Sequence, residues 1–177
     1  MITEYKFDDK WILWYHNPFD CNWDRDSYSE IYQIDSVNNF WKLQNSMESL
    51  PNINEAMYFI TRLKNGNIIY PNWEDPHNIN GGFWSFKVSE EDTVEAWKYL
   101  NLYLYSNNIT KKKEDSESIN GISISPKKCF SIIKIWNNDS KNCHNEILNP
   151  NIPYFNIDEV VYKSHDTNIE NDQKKKK

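Results

Sequence analysis

Glycine is scarce in this sequence: Gly66, Gly81, Gly82 and Gly121 are the four it has. None belongs to a phosphate-cradling loop, which needs glycines close together so that backbone N–H groups can crowd one anion. Neither a Gly-x-Ser-x-Gly elbow nor a His-Glu-x-x-His pattern occurs, which sets aside nucleophile-elbow hydrolases and zinc proteases of that type. Cysteine is limited to Cys21, Cys129 and Cys143, an odd number without metal-ligand spacing, as in a reducing intracellular compartment. The adjacent Cys143 and His144 have no second cluster with which to complete a tetrahedral site. No apolar run approaches the roughly 20 residues a membrane span needs, and the polar, acidic first ten residues do not read as a signal peptide. The expectation is a cytoplasmic monomer with no membrane association, no metal, no cofactor and no catalytic activity.

Positive charge is in deficit as well. A net charge of -6 argues against a protein that grips nucleic acid through its phosphates alone. What the chain does have is aromatic surface: eight Trp, eleven Tyr and eight Phe make up 15% of it. An indole offers a broad flat face and one N–H donor, which suits cores and stacking sites equally, and any single ring is more often core. An acidic, tryptophan-rich protein can still bind a ligand that is itself a cation. Paired asparagines, with abundant isoleucine and lysine, suit an AT-rich genome such as that of a large virus or a protist.

With 177 residues the chain has the length of one domain. Strands are expected over residues 11–15, 29–34, 57–63, 83–88, 119–125, 130–136 and 159–164, with Trp84, Phe86 and Val88 on one face. Asn65-Gly66 reads as a hairpin turn leading into 68–70. Asp35-Ser36 starts a helix carrying Val37, Phe40 and Trp41, and Ser89 to Asp92 form a capping box for a helix reaching about Tyr105. Residues 73–80 and the charged 111–117 read as loops, 140–148 as a short helix, and 166–177 as a disordered lysine-ending tail. Helices and hairpin-joined strands together imply an α+β domain over residues 1–165 with a largely antiparallel sheet.

Three segments carry chemistry. The first holds Trp11, Trp14, Pro18 and Trp23; the second Asp35, Val37, Phe40 and Trp41; the third Pro71, Trp73, Glu74 and Asp75, followed by Gly81, Gly82, Phe83 and Trp84. In this order and spacing they resemble the eukaryotic translation initiation factor 4E family over about residues 10–136, resuming at Tyr162 to His165. The resemblance implies a curved antiparallel sheet with two to three helices on its convex face. It also implies a slot for the 7-methylguanosine cap of mRNA, and recruitment of capped message to translation initiation, in a host cytoplasm if the protein is viral.

By resemblance, Trp23 and Trp73 sandwich the methylated guanine, Glu74 binds its N1–H and N2–H, and Trp136 touches the N7-methyl group. Lys127 falls on a phosphate-binding position, with Lys128 or Lys134 as the second cation. Val37, Trp41 and Leu102 match the surface that holds scaffold or repressor peptides of the pattern Tyr-x-x-x-x-Leu-hydrophobic. Trp11, Trp14 and Trp84 read as core. The chain departs from the family at Phe83, where an arginine is usual, and its ring is expected to contact the cap or the first transcribed nucleotide. Tyr5-Lys6, Lys98 and Tyr99 depart too, and the segment after Trp136 is short. Two alternatives stay open: a cap-binding repressor or decoy, and a carbohydrate-binding module, since tryptophans beside a carboxylate also bind sugars.

Overall fold

A computed structural model describes residues 4–167 and residue 169. Its sheet has eight strands: β1 (Lys6–His16), β2 (Tyr28–Ser36), β3 (Met57–Lys64), β4 (Asn67–Ile68), β5 (Gly82–Ser89), β6 (Ile119–Pro126), β7 (Phe130–Asn137) and β8 (Val161–Ser164). They run in the order β2-β1-β3-β6-β7-β5-β8, with β4 paired to β3, and every pairing is antiparallel. Helices α1 (Val37–Ser46) and α2 (Thr93–Tyr105) pack on the convex face of this curved sheet, completing the expected α+β domain.

Local chemistry accounts for the element ends. The Ser36 side chain accepts from the Asn39 N–H at 3.2 Å and caps α1. Ser89 Oγ accepts from the Asp92 N–H at 3.1 Å and donates to Asp92 Oδ2 at 2.7 Å, so only half of the expected capping box forms; α2 starts just after it, at Thr93, with Asp92 as its N-cap. Asn65 and Gly66 take φ of 51° and 80°, the two left-handed residues that a tight hairpin of this hand requires. Gly81 is needed for a different reason: any Cβ there would collide with the Asn137 carbonyl.

Because side chains alternate along each strand, one sheet carries two different surfaces. Trp11, Leu13, Trp84, Phe86, Ile122, Ile124, Ile133 and Ile135 face the helices and build the main core with Phe40, Trp97, Leu100 and Leu104. Ile12, Trp14, Tyr28, Phe59, Phe83 and Trp136 form a second, mainly aromatic cluster on the opposite face. Trp11, Trp14 and Trp84 are buried as expected.

Some segments differ from expectation. Residues 111–117 do not form a plain loop; Lys113–Ser118 is a 3-10 helix. Lys113 pairs with Asp8 at 3.0 Å, and Arg62 Nη2 donates to the Ser116 carbonyl at 2.7 Å, which ties the charged segment down. In place of a helix over 140–148 there is a single 3-10 turn, Asn145–Ile147. The hairpin's return strand stops at Ile68 rather than Tyr70. The expected tail from Asp166 lies mostly outside the described residues, and His165, Asp166, Thr167 and Ile169 are helical.

Asn137, fully buried, joins three strand ends. Its Oδ1 accepts from the Gly82 N–H and the Tyr162 hydroxyl, and its Nδ2 donates to the carbonyls of Asp139 and Asn142, all at 2.9 Å. Replacing it strands four polar partners in or near the interior. Asn137→Leu is expected to lower the unfolding free energy by roughly 3 kcal/mol in a urea titration. A loss under about 1 kcal/mol would show that the network is replaceable by water.

Candidate functional site

The aromatic face of the sheet is the floor of a cleft of about 1310 Å³. Two loops and one strand end supply its walls, and each is shaped by polar side chains close in sequence.

The first wall is the loop between β1 and β2. Asn17, Asp20 and Asn22 each accept a backbone N–H two residues on, from Phe19 at 3.0 Å, Asn22 at 2.8 Å and Asp24 at 2.9 Å. Such Asx turns fold a loop without burying it. Trp23 sits among these turns and is 49% exposed. One of its faces is covered by the His16 ring, at a centroid distance of 4.2 Å and an interplanar angle of 5°. His16 Nε2 donates to the Asn22 carbonyl at 2.8 Å, so the buried imidazole is locked behind the indole.

The second wall is the loop before β5. The Asp75 carboxylate, with its side chain 2% exposed, accepts from the N–H of Tyr70 at 3.2 Å and of His77 at 2.9 Å, and contacts His77 Nδ1 at 3.0 Å. Asn78 Nδ2 donates to the carbonyls of Tyr70 and Asn72, and Asn120 on β6 donates to the His77 carbonyl. This inner polar core frees the neighbouring side chains to point outward. Trp73 is half-buried and lines the cleft, and Glu74 beside it is exposed. Burial, and then the nearby Glu74 carboxylate, raise the Tyr28 hydroxyl above the ordinary tyrosine range.

Between the walls lies Trp136, 5% exposed, with Nε1 donating to Ser123 Oγ at 2.9 Å. His165 packs behind it at 5.0 Å between centroids and also stacks towards Trp73 at 6.4 Å. Burial, and then Lys134, push the His165 imidazole down to about 3, so it is a neutral packing ring. The cleft's cationic end carries Lys127, exposed, and Lys134, whose ammonium lies 4.3 Å from the Phe83 ring centre. Burial first, then Lys127 and Lys163, push Lys134 down to about 8.

Six of the expected base- and phosphate-binding residues thus line one cleft: Trp23, Trp73, Glu74, Trp136, Lys127 and Lys134. Two do not. Lys128 is exposed on the β6–β7 turn, away from the lining; Lys134 shares strand parity with Trp136, a signal present in the sequence. Phe83, expected to contact the ligand, is not among the residues that line the cleft. It is 4% exposed because β5 lies between β7 and β8, and Trp136, His165 and Lys134 close over its ring. The sequence reading missed His16, Arg25, Lys163 and His165 as parts of this region. Lys163 pairs with Phe83 across β8 and β5, so its side chain leaves the sheet on the face that carries Trp136.

On the convex side, Trp41 on α1 is 50% exposed and Val37 partly so. Leu102 on α2 is half-buried and borders a groove with Tyr103, Ser106, Asn108, Asn149 and Asn151. Among the described residues no cluster of three or more His, Cys, Asp or Glu is placed to hold a metal ion, and no helix is long and apolar enough to cross a membrane.

Comparison with known proteins bears on the family and the fold. A family profile described as "Eukaryotic initiation factor 4E" matches residues 6–177. The eukaryotic translation initiation factor 4E of Eremothecium gossypii is 30% identical over 142 residues, covering 75% of this chain and 62% of that protein. A homologue from Acanthamoeba polyphaga mimivirus is 35% identical over 96 residues, covering 54% of this chain and 34% of that one. The chain spans 57%, 62% and 56% of three such curated relatives. Among solved structures, C. elegans eIF4E-3 in complex with the 4E-binding protein Mextli and a cap analog superposes with a TM-score of 0.78. It is 21% identical, with 95% of this chain and 96% of that chain covered. Ascaris suum eIF4E-3 with an m7G cap gives 0.72 at 20% identity, covering 92% of each chain. At such identity the likeness establishes the fold.

Lys134 makes a prediction about pH. Its folded-state value, about 8, lies below the ordinary 10.5, so between the two the unfolded chain holds the extra proton and folding becomes more favourable as pH rises. The stability of Lys134→Met relative to wild type should be greatest near about pH 7 and decline towards about pH 10, as followed by urea unfolding. A difference that does not vary with pH would contradict the buried ammonium.

Proposed function

This chain belongs to the eukaryotic initiation factor 4E family, and we propose that its cleft binds the 7-methylguanosine cap of mRNA, bringing capped message to translation initiation in the cytoplasm. One observation carries the reading: two tryptophans from separate loops, a carboxylate beside one of them and lysines at one end all line the same cleft. Guanine methylated at N7 is a flat cation. Stacking on an indole contributes on the order of 1–3 kcal/mol per aromatic group. The cation–π attraction, about 0.5–2 kcal/mol, is absent for unmethylated guanine. His16 already covers one face of Trp23, which leaves the other for a ligand.

Glu74, exposed next to Trp73, accepts from the guanine N1–H and N2–H, each bond contributing about 1.5–3 kcal/mol. Trp136, its N–H held by Ser123, presents ring surface to the methyl group. Lys127 and Lys134 serve the triphosphate, and the low value of Lys134 means that ligand anions draw a proton onto it above about pH 8. Each of these roles is binding, and the reading calls for no reaction at the site. The sugar-binding alternative gains no support, because it gives no purpose to the cationic end of the cleft.

Trp41 at 50% exposure supports a partner site on the convex face, with Val37 and Leu102 flanking the peptide. That observation favours engagement of a scaffold protein over a decoy that binds the cap alone.

Quenching of tryptophan fluorescence tests the cap site. Methylated guanosine triphosphate should bind at least about tenfold more tightly than its unmethylated counterpart, and Trp73→Ala or Glu74→Ala should each cost about tenfold or more. Equal affinity for the two nucleotides would end this reading. For the convex face, an immobilised Tyr-x-x-x-x-Leu peptide should retain the wild-type chain and not Trp41→Ala. Retention of both, or of neither, would remove the scaffold role.

A further inference from the structure

We propose that Arg25 is a positioning residue of the base slot, clasping the loop of Trp23 to the loop of Trp73 and Glu74 so that the indoles are spaced for a ligand before one arrives. This rests on the reading of the cleft as a methylated-guanine site.

Arg25 follows Trp23 by two residues and opens the 3-10 turn Arg25–Ser27. Its Nη2 lies 3.6 Å from Asp75 Oδ2, and its guanidinium carbon stands 4.6 Å from the centre of the Tyr70 ring. Both partners belong to the other wall. Neither is free to move: the Asp75 carboxylate is fixed by the Tyr70 and His77 N–H groups, and Tyr70 packs against Trp14 of the sheet at 5.4 Å. The arginine therefore docks into a rigid seat that combines an acid with an aromatic face. A guanidinium fits both at once, being planar and always charged, where an ammonium does not.

The Trp23 loop needs such a tie. Residues 21–26 are all exposed, so no apolar cover fixes the loop against the opposite wall. His16 sets the tilt of the Trp23 ring from below, and Arg25 sets the position of the loop across the cleft. The pair is a loose 3.6 Å contact whose arginine side is exposed, and the buried Asp75 carboxylate keeps its Tyr70 and His77 donors without it, so its contribution to global stability is small. Its effect here is on the fraction of free protein with a correctly open slot, which scales the apparent affinity directly. Direct contact between Arg25 and the cationic base is disfavoured by like charge, whereas an arginine already neutralised by Asp75 is compatible with it.

The test is stopped-flow fluorescence with 7-methylguanosine monophosphate and triphosphate on wild type, Arg25→Gln, Arg25→Lys, Trp23→Ala and the double variant Trp23→Ala/Arg25→Gln. Arg25→Gln should lose about fivefold to tenfold in affinity, chiefly in the association rate, by the same factor for both nucleotides. Arg25→Lys should recover only part of it, the thermal midpoint should stay at the wild-type value, and Arg25→Gln should add nothing once Trp23 is gone. Unchanged affinity in Arg25→Gln overturns the clasp while leaving the base slot standing. So does a larger loss with triphosphate, which would make Arg25 a phosphate ligand, or an undiminished loss in the Trp23→Ala background. Wild type showing no preference for the methylated base removes the slot and the clasp together.

Discussion

The alternation of side chains along antiparallel strands is the constraint from which the rest of this molecule follows. Ile133 and Ile135 lie under the helices, and Lys134 and Trp136, interleaved with them, face the cleft. The same parity separates Ile122 and Ile124 from Ser123 and Ser125 on β6. β6 and β7 therefore each serve the hydrophobic core with one set of side chains and line the cleft with the other. A slip of one residue in any of these pairings would exchange the two surfaces, so burial of the isoleucines also fixes where Trp136 and Lys134 point.

Above that floor, asparagine and aspartate take over the role that apolar packing has in the sheet. Asn17, Asp20 and Asn22 on one wall, and Asp75 and Asn78 on the other, bond to backbone within a few residues of themselves. Loops built this way hold their shape while leaving large rings in solvent, which is what a stacking site demands. The asparagine-rich composition, read first as a matter of genome bias, is thus put to structural use at the cleft.

Much of the fold was legible because its signals are local. Trp84, Phe86 and Val88 announced β5, Asn65-Gly66 the hairpin, and Ser36 and Ser89 the two helix starts. The loop setting of Trp23 and Trp73 was legible in their Asn, Asp and Pro neighbours, although Trp73 is half-buried against the aromatic floor. What escaped was whatever depends on register or on contacts between distant segments. His16 stacks on Trp23 across a loop, Arg25 reaches Asp75, and His165 supports Trp73 and Trp136 from far along the chain. The burial of Phe83 escaped because its surroundings are set by strands on both sides, which no stretch of sequence around it reveals. The 3-10 helix Lys113–Ser118 was missed since its anchors, Asp8 and Arg62, lie outside it.

Strand order also makes one wall of the cleft depend on segments far along the chain. Among the described residues, β5 pairs with β7 and β8, both of which come later in the chain, and with no strand that precedes it. The loop bearing Trp73 and Glu74 leads directly into β5, so its exit is held by residues 130–137 and 161–164, while its entry is held by Tyr70 against Trp14 of β1. Long-range pairings of this kind form slowly, because the closure entropy is met before the contacts can repay it. Competence to bind therefore depends on strand partners that come later in the chain, β7 and β8, as much as on the loops that carry the rings.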